Sequence, residues 1–223
     1  MQAGEHVAPD GSPVVVYARL PPGEAEAEVI SAAVPNGATI LELGAGAGRV
    51  TRPLLDRGYR VTAVDNSPEM LAQIHGAETV EADIERLSLG RRFDAVVHGS
   101  HMVNTSDDAQ RRAFLRTCRA HVSDHGIVLL EHHAATWLQT AEAGVGRQGE
   151  VAVALRDVRR HPPFVTAVAE YRVDGHVFSQ SFTARVFTDD ELARELRSVG
   201  LEVVGRPNPR WTIARRAPRP PAT

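Results

Sequence analysis

The chain has 223 residues, enough for one large α/β domain or a domain with an insert. Hydrophobic residues make up 43 % and charged residues 24 %, as in an ordinary globular protein, and the net charge of −3 gives no electrostatic reason to expect nucleic acid or a membrane surface as partner. All 25 basic residues are arginine, which excludes lysine Schiff-base chemistry, and the lone Cys118 excludes an internal disulfide and fits a reducing cytoplasm.

Apolar and polar stretches alternate in a regular order along the chain. Val14 to Tyr17 is apolar and ends at Leu20-Pro21-Pro22-Gly23; Glu24 to Ala33 reads as a short helix stopped before Pro35-Asn36-Gly37. Strands are predicted at 39–43, 60–65, 78–82, 93–98 and 125–132, and helices at 48–57, 67–75 and 106–121. Ser67 before Pro68, and Ser106-Asp107-Asp108, read as helix N-caps. Strand–helix alternation with short links argues a doubly wound parallel sheet with helices on both faces.

The pattern changes after about Gly144. Gly149 to Arg159, Phe164 to Val173 and His176 to Phe187 are extended runs, the last two joined by the hairpin pair Asp174-Gly175. They predict a three-stranded antiparallel insert. Thr188 to Glu191 then caps a helix to Val199, and strands at Leu201–Arg206 and Trp211–Ala214 bring the main sheet to seven. The expected organisation is a cap segment over 1–38, a core over 39–148, the insert over 149–187, the closing helix and strands over 188–215 and a disordered tail over 216–223. No apolar run approaches the ~20 residues of a membrane span, and no signal sequence is visible, so the expected location is the cytoplasm.

Chemistry concentrates at the first strand–turn–helix. Glu42-Leu43-Gly44-Ala45-Gly46-Ala47-Gly48 follows an apolar strand, and Asp65 ends the next strand about 20 residues on, where a ribose-binding acid sits in nucleotide-binding βαβ units. Glycines there let a ligand lie against bare peptide groups, and a helix opening near Gly48 would offer unpaired N–H groups. Taken alone, these features fit either a methyl donor or a dinucleotide.

The spacing resembles the class I S-adenosylmethionine-dependent methyltransferases: an acid before G-x-G-x-G, then Val64-Asp65-Asn66-Ser67-Pro68-Glu69-Met70-Leu71, Glu81-Ala82-Asp83-Ile84 and Phe93-Asp94-Ala95-Val96-Val97, over roughly residues 39–133. The resemblance implies a Rossmann-like seven-stranded sheet with antiparallel closing strands and S-adenosylmethionine as cofactor. It implies cofactor contacts from Tyr17, Glu42, Gly44, Ala45, Gly46, Gly48, Asp65, Asn66, Met70, Asp83, Ile84, His98 and Gly99, with Asp65 on the ribose hydroxyls and Asp83 on the adenine amino group. Ser100 and His101 are expected on the substrate side.

A histidine of near-neutral pKa would serve an acceptor that must lose a proton, and His101 and then His132 are the candidates for that base. His132 and His133 share the strand edge with His98 and His101, but no carboxylate or cysteine stands at a ligand spacing with them, so no metal is expected. Arg156, Arg159, Arg172 and Arg185 in the insert would meet an anionic acceptor, and the insert would act as a lid or a dimer platform in a monomer or homodimer. The implied activity is N- or O-methylation of a small molecule, with secondary metabolism as the expected setting. The alternatives are an NAD-dependent oxidoreductase and an adenosylmethionine-binding protein that transfers no methyl group, such as a cyclase.

Overall fold

The computed structural model describes residues 7–218. Five parallel strands, β1 (Thr39–Leu43), β2 (Arg60–Asp65), β3 (Glu78–Glu81), β4 (Phe93–His98) and β5 (Val122–Glu131), are joined at one edge by β10 (Leu201–Asn208) and β11 (Trp211–Arg216). The spatial order is β10-β11-β5-β4-β1-β2-β3. β11 runs antiparallel to β5, and β10 antiparallel to β11. The order reverses between β1 and β4, and in an open α/β sheet the crevice at that reversal takes the ligand.

The strands sort their side chains by the period of two. Leu41, Leu43, Val96, Val128 and Leu130 pack against Phe114, Leu115 and Cys118 of α5 (Asp108–His121) and Leu192 and Leu196 of α7 (Asp189–Ser198). Ile40, Ala95, Val97 and Leu129 pack on the other face against Ala27 and Ile30 of α2 (Glu24–Ala33) and Leu54 of α3 (Thr51–Asp56). Continuous apolar runs such as Ala95–Val97 and Val128–Leu130 are what burial on both faces demands. Cys118 is fully buried in this core, and burial pushes its thiol up to about 12, so it packs and does not react.

Helix ends follow their capping residues. The Ser67 hydroxyl accepts from Met70 N–H to open α4 (Pro68–Leu71), and α7 starts with a full capping box of Thr188 and Glu191. Asp107 caps α5, taking the N–H groups of Ala109 and Gln110 on its carboxylate. Two predicted helices are shorter than expected. Gly48 has φ +80°, outside the right-handed helical region, so α3 begins at Thr51 and the turn closes by Gly48 N–H on Ala45 O. α4 stops at Leu71. At the other end of the chain β11 extends through Arg215 and Arg216, paired with Glu202 and Leu201, so the start of the predicted tail is strand. Residues 1–6 and 219–223, parts of the predicted cap and tail, lie outside the described residues.

The insert has four strands, one more than predicted: β6 (Gly144–Gln148), β7 (Val151–His161), β8 (Phe164–Val173) and β9 (His176–Arg185), in that order. β6 carries two glycines and every residue of it is exposed, so its sequence has neither β-propensity nor alternation to announce it. The Asp174-Gly175 hairpin is as expected, with φ positive at both residues. One face of this sheet carries Val151, Ala169, Tyr171, Val173, Phe178, Gln180 and Phe182. α1 (Val14–Arg19) packs on that face through Val16 and Tyr17, joined by Leu20 just past its end.

Candidate active site

A cavity of about 1020 Å³ lies between the carboxyl ends of β1, β2, β4 and β5 and the inward face of the second sheet. That is room for a nucleoside-sized ligand together with a small acceptor. The N-terminal segment borders it through Ala8, Asp10, Ser12, Tyr17, Leu20 and Pro21.

The cofactor half is organised by the glycine turn and Asp65. Gly44 N–H and Ala45 N–H both donate to Val64 O, which folds the turn back over the end of β2. Gly46 N–H donates to Asp65 Oδ2 at 2.8 Å, and Ser67 N–H donates to Asp65 Oδ1 at 3.0 Å. Each carboxylate oxygen keeps a free acceptor position, as a ribose diol requires. Burial raises the Asp65 pKa above the usual range.

Gly46 has φ +54°, and a Cβ built there meets nothing within 4 Å, so its backbone faces open cavity. A Cβ on Gly44 would sit 2.5 Å from Met102 Sδ, so that glycine answers to packing. Tyr17, Glu42, Ala45, Asn66, Met70, Ile84 and Gly99 line the cavity.

Glu42 is fully buried and accepts a 2.6 Å hydrogen bond from Thr51 Oγ1. Burial raises its pKa from 4.5 to about 7. The unfolded carboxyl therefore ionises first as pH rises, and the folded one holds its proton. Stability contributed at this site declines from pH 4.5 upward and the loss is complete above about pH 7. Glu42→Gln is expected to remove that decline: the melting-temperature difference between variant and parent, followed by circular dichroism, grows in the variant's favour across this window and is flat on either side.

The structure places three predicted cofactor contacts differently. Asp83 does not line the cavity; its carboxylate accepts from Asn66 Nδ2 at 3.3 Å, so it holds the residue that does. Gly48 turns its α-carbon toward Ile74, within the fold. His98 is fully buried against the Phe114 ring, 5.1 Å between centroids, with neither ring nitrogen hydrogen-bonded. The period of two that turns Val97 to one face turns His98 into the core.

The acceptor half is built from the ends of β4 and β5. Ser100 and His101 both have positive φ, +55° and +56°, a strained pair of left-handed residues after Gly99. Glu131 fixes this turn: its Oε2 accepts Ser100 N–H at 3.0 Å, and its Oε1 accepts from Arg210 Nη2 at 2.6 Å. Glu131 is 3 % exposed, and burial raises its pKa.

The His101 ring stacks on His133 at 4.2 Å, His133 stacks on Trp137 at 3.9 Å, and Trp137 lies parallel to Phe182 at 6.4 Å. Burial lowers His101 to about 4 and His133 to about 3, with Arg210 adding to both. Arg210 Nη2 stands 3.3 Å from His101 Nε2, which places the lone pair on Nε2 and the proton of the neutral ring on Nδ1.

His101 is therefore no near-neutral base, and burial lowers His132 as well. His101 is a neutral aromatic plate with a donor edge. His132 is turned to β11, with Nε2 on Thr212 Oγ1 at 2.9 Å and Nδ1 on His133 O at 3.1 Å, and does not line the cavity. The arginines expected to meet an anionic acceptor are elsewhere: Arg156 and Arg172 pair with Glu170, Arg185 with Asp108, and Arg159 is exposed. Glu131, His133 and Arg210 are the site residues sequence reasoning left unassigned. The signal for Glu131 was available, since it ends a strand as an acid, like Asp65.

The methyltransferase domain family matches residues 40–126, the segment that carries the glycine turn, Asp65 and the start of β5. Residues 40–126 carry a methyltransferase domain. A cypemycin N-terminal methyltransferase from a Streptomyces species is 29 % identical over 125 residues, and the match spans about half of each chain, 52 % of this one and 51 % of the relative.

Among solved structures, the CcbJ methyltransferase from Streptomyces caelestis superposes with a TM-score of 0.71 at 21 % identity over 89 % of this chain and 91 % of that one. S-adenosylmethionine-bound CalS10, an amino pentose methyltransferase from Micromonospora echinaspora, gives 0.66 at 24 % over 87 % and 90 %. These likenesses show that the fold extends beyond the matched segment to both sheets.

The residues of the methyltransferase domain fit its cofactor. Asp65 offers two carboxylate oxygens for the ribose, Gly46 leaves the turn bare beside open cavity, and Asn66, Met70 and Ile84 border the same region. When bound, S-adenosylmethionine supplies a methyl group already activated on a sulfonium.

Proposed function

We propose that this protein is an enzyme that transfers the methyl group of S-adenosylmethionine to an amine nitrogen of a small molecule, as a tailoring step in the biosynthesis of a natural product. The observation that carries the choice of nitrogen is the charge of the cavity. Six acids line it (Asp10, Glu26, Glu42, Asp65, Glu85 and Glu131) against three arginines (Arg49, Arg147 and Arg210), and with Glu42 holding its proton up to about pH 7 the other acids still outnumber the arginines five to three.

Such a site attracts a protonated amine and repels an anion. The buried Glu131 carboxylate beside the faces of His101, His133 and Phe182 suits an ammonium group, held by charge and by aromatic faces. The ammonium passes its proton to the Glu131 carboxylate, whose proton affinity burial raises, and the neutral amine then presents the lone pair that methyl transfer needs. Positioning then supplies much of the acceleration, because an in-line displacement on an activated carbon requires aligned atoms more than a strong base. The names of two relatives agree with a nitrogen acceptor: one is an N-terminal methyltransferase and one acts on an amino pentose.

The test is incubation of the purified protein with methyl-labelled S-adenosylmethionine and paired acceptors, small amines and their hydroxyl analogues, read by mass spectrometry. Label on amine nitrogens supports the proposal. Label on hydroxyls with the amines untouched contradicts the nitrogen assignment, and cofactor binding without transfer to any acceptor favours a non-methylating role.

A further inference from the structure

A second cavity, of about 550 Å³, lies between α5 and α7 and shares no lining residue with the methyltransferase cavity. Four arginines line it: Arg112 and Arg116 on α5, Arg194 on α7 and Arg185 at the end of β9, against Glu191 and Glu195. The chain as a whole has more acids than bases, 28 to 25, so this groove reverses the balance of the molecule.

Glu191 accepts from the Thr188 N–H and hydroxyl as the cap of α7, and Glu195 stands in an ion pair 3.5 Å from the buried Arg111 guanidinium, with no hydrogen bond to its Oε2. Arg185 is held by Asp108, yet its buried Nε has no acceptor. The side chains of Arg112, Arg116 and Arg194 make no hydrogen bond or close ion pair with a described residue, while Glu191 feels the charges of Arg185 and Arg194. Arg112 and Arg116 stand one helical turn apart, an arrangement of like charges that weakens a helix unless an anion sits between them.

We propose that this groove binds a phosphoryl group carried on a small organic molecule. A carboxylate has two oxygens, enough for one guanidinium fork. Several forks facing one groove suit a group with three oxygens and about two charges. The volume exceeds a bare phosphate and leaves space for an organic body beside it. The residue type itself carries no weight here, because every basic residue in the chain is arginine.

The test is isothermal titration of the full-length protein at fixed ionic strength with glycerol phosphate, inorganic phosphate and sodium chloride. It is repeated on the double variant Arg112→Gln/Arg116→Gln and on Arg159→Gln, an exposed arginine of β7 remote in sequence from the groove. Circular dichroism confirms that each variant is folded. Saturable one-site binding of glycerol phosphate is expected, at least as tight as inorganic phosphate, weakened at least tenfold in the double variant and unchanged in Arg159→Gln. Heats indistinguishable from the chloride control, or equal weakening in both variants, overturn the proposal. Adding saturating S-adenosylhomocysteine locates the site: unchanged phosphate affinity supports the groove, and competition places the anion in the main cavity and overturns it.

Discussion

Asp65→Asn is expected to weaken binding of S-adenosylhomocysteine by about 100-fold while leaving the fold in place. The side chain keeps its size, so packing at the end of β2 is preserved. What changes is acceptor capacity. In the parent, one lone pair on each carboxylate oxygen is used by Gly46 N–H and Ser67 N–H, and the others remain for the ligand. An asparagine has one acceptor oxygen, and its amide nitrogen must face one of those two backbone donors, donor against donor.

The ligand then loses charge-assisted bonds worth about 1.5–3 kcal/mol each, and the glycine turn loses a tether. A combined loss of about 3 kcal/mol corresponds to roughly two orders of magnitude in affinity. Calorimetric titration of parent and variant checks it, with denaturant midpoints to separate binding from stability. Affinity within a factor of three of the parent would mean that Asp65 serves the turn alone.

The second large effect is expected at Glu131. Glu131→Gln should lower kcat/KM for the amine acceptor by about 100-fold and change cofactor affinity far less. The glutamine oxygen can still take Ser100 N–H, so the strained Ser100–His101 turn keeps its anchor. The charge facing Arg210 is gone, and Arg210 is left beside His101 without its counter-ion. Glu131 is buried while Arg210 is about half exposed, so losing the carboxylate costs the lower part of the about 2–5 kcal/mol of a fully buried charge pair.

The acceptor ammonium meets an uncompensated guanidinium where it had met a carboxylate, so both binding and positioning suffer. Steady-state kinetics with the acceptor varied at saturating cofactor gives the ratio. An unchanged kcat/KM would remove Glu131 from the acceptor site and with it the main support for a cationic substrate.

The cofactor half of this site was legible in the sequence because its signals are local. An apolar strand ending in an acid, a run of alternating glycines and a second strand-end acid all lie within one βαβ unit, and backbone geometry fixes where they go. Asp65 and the turn are where that pattern puts them.

The acceptor half was not legible in the same way. It depends on which face of a strand each residue takes, and on partners far apart in sequence. His98 and His132 read as site residues by position, yet alternation sends one into the core and Thr212, 80 positions away, captures the other. Arg210 reaches Glu131 from the turn between the closing strands, a pairing across 79 positions that no local pattern encodes. The histidine pKa values could not be read from the sequence either, since burial, more than residue type, takes His101 and His133 far below the neutral range. β6 escaped for a different reason: an exposed, glycine-bearing edge strand has no periodicity to detect.

The proposed function requires a cavity that binds S-adenosylmethionine through Asp65 and the Gly44–Gly48 turn. Calorimetric titration of the purified protein with S-adenosylhomocysteine and, separately, with NAD tests that most directly. Saturable one-to-one binding of S-adenosylhomocysteine with no measurable heat from NAD is the predicted result; preferential binding of NAD would contradict the account.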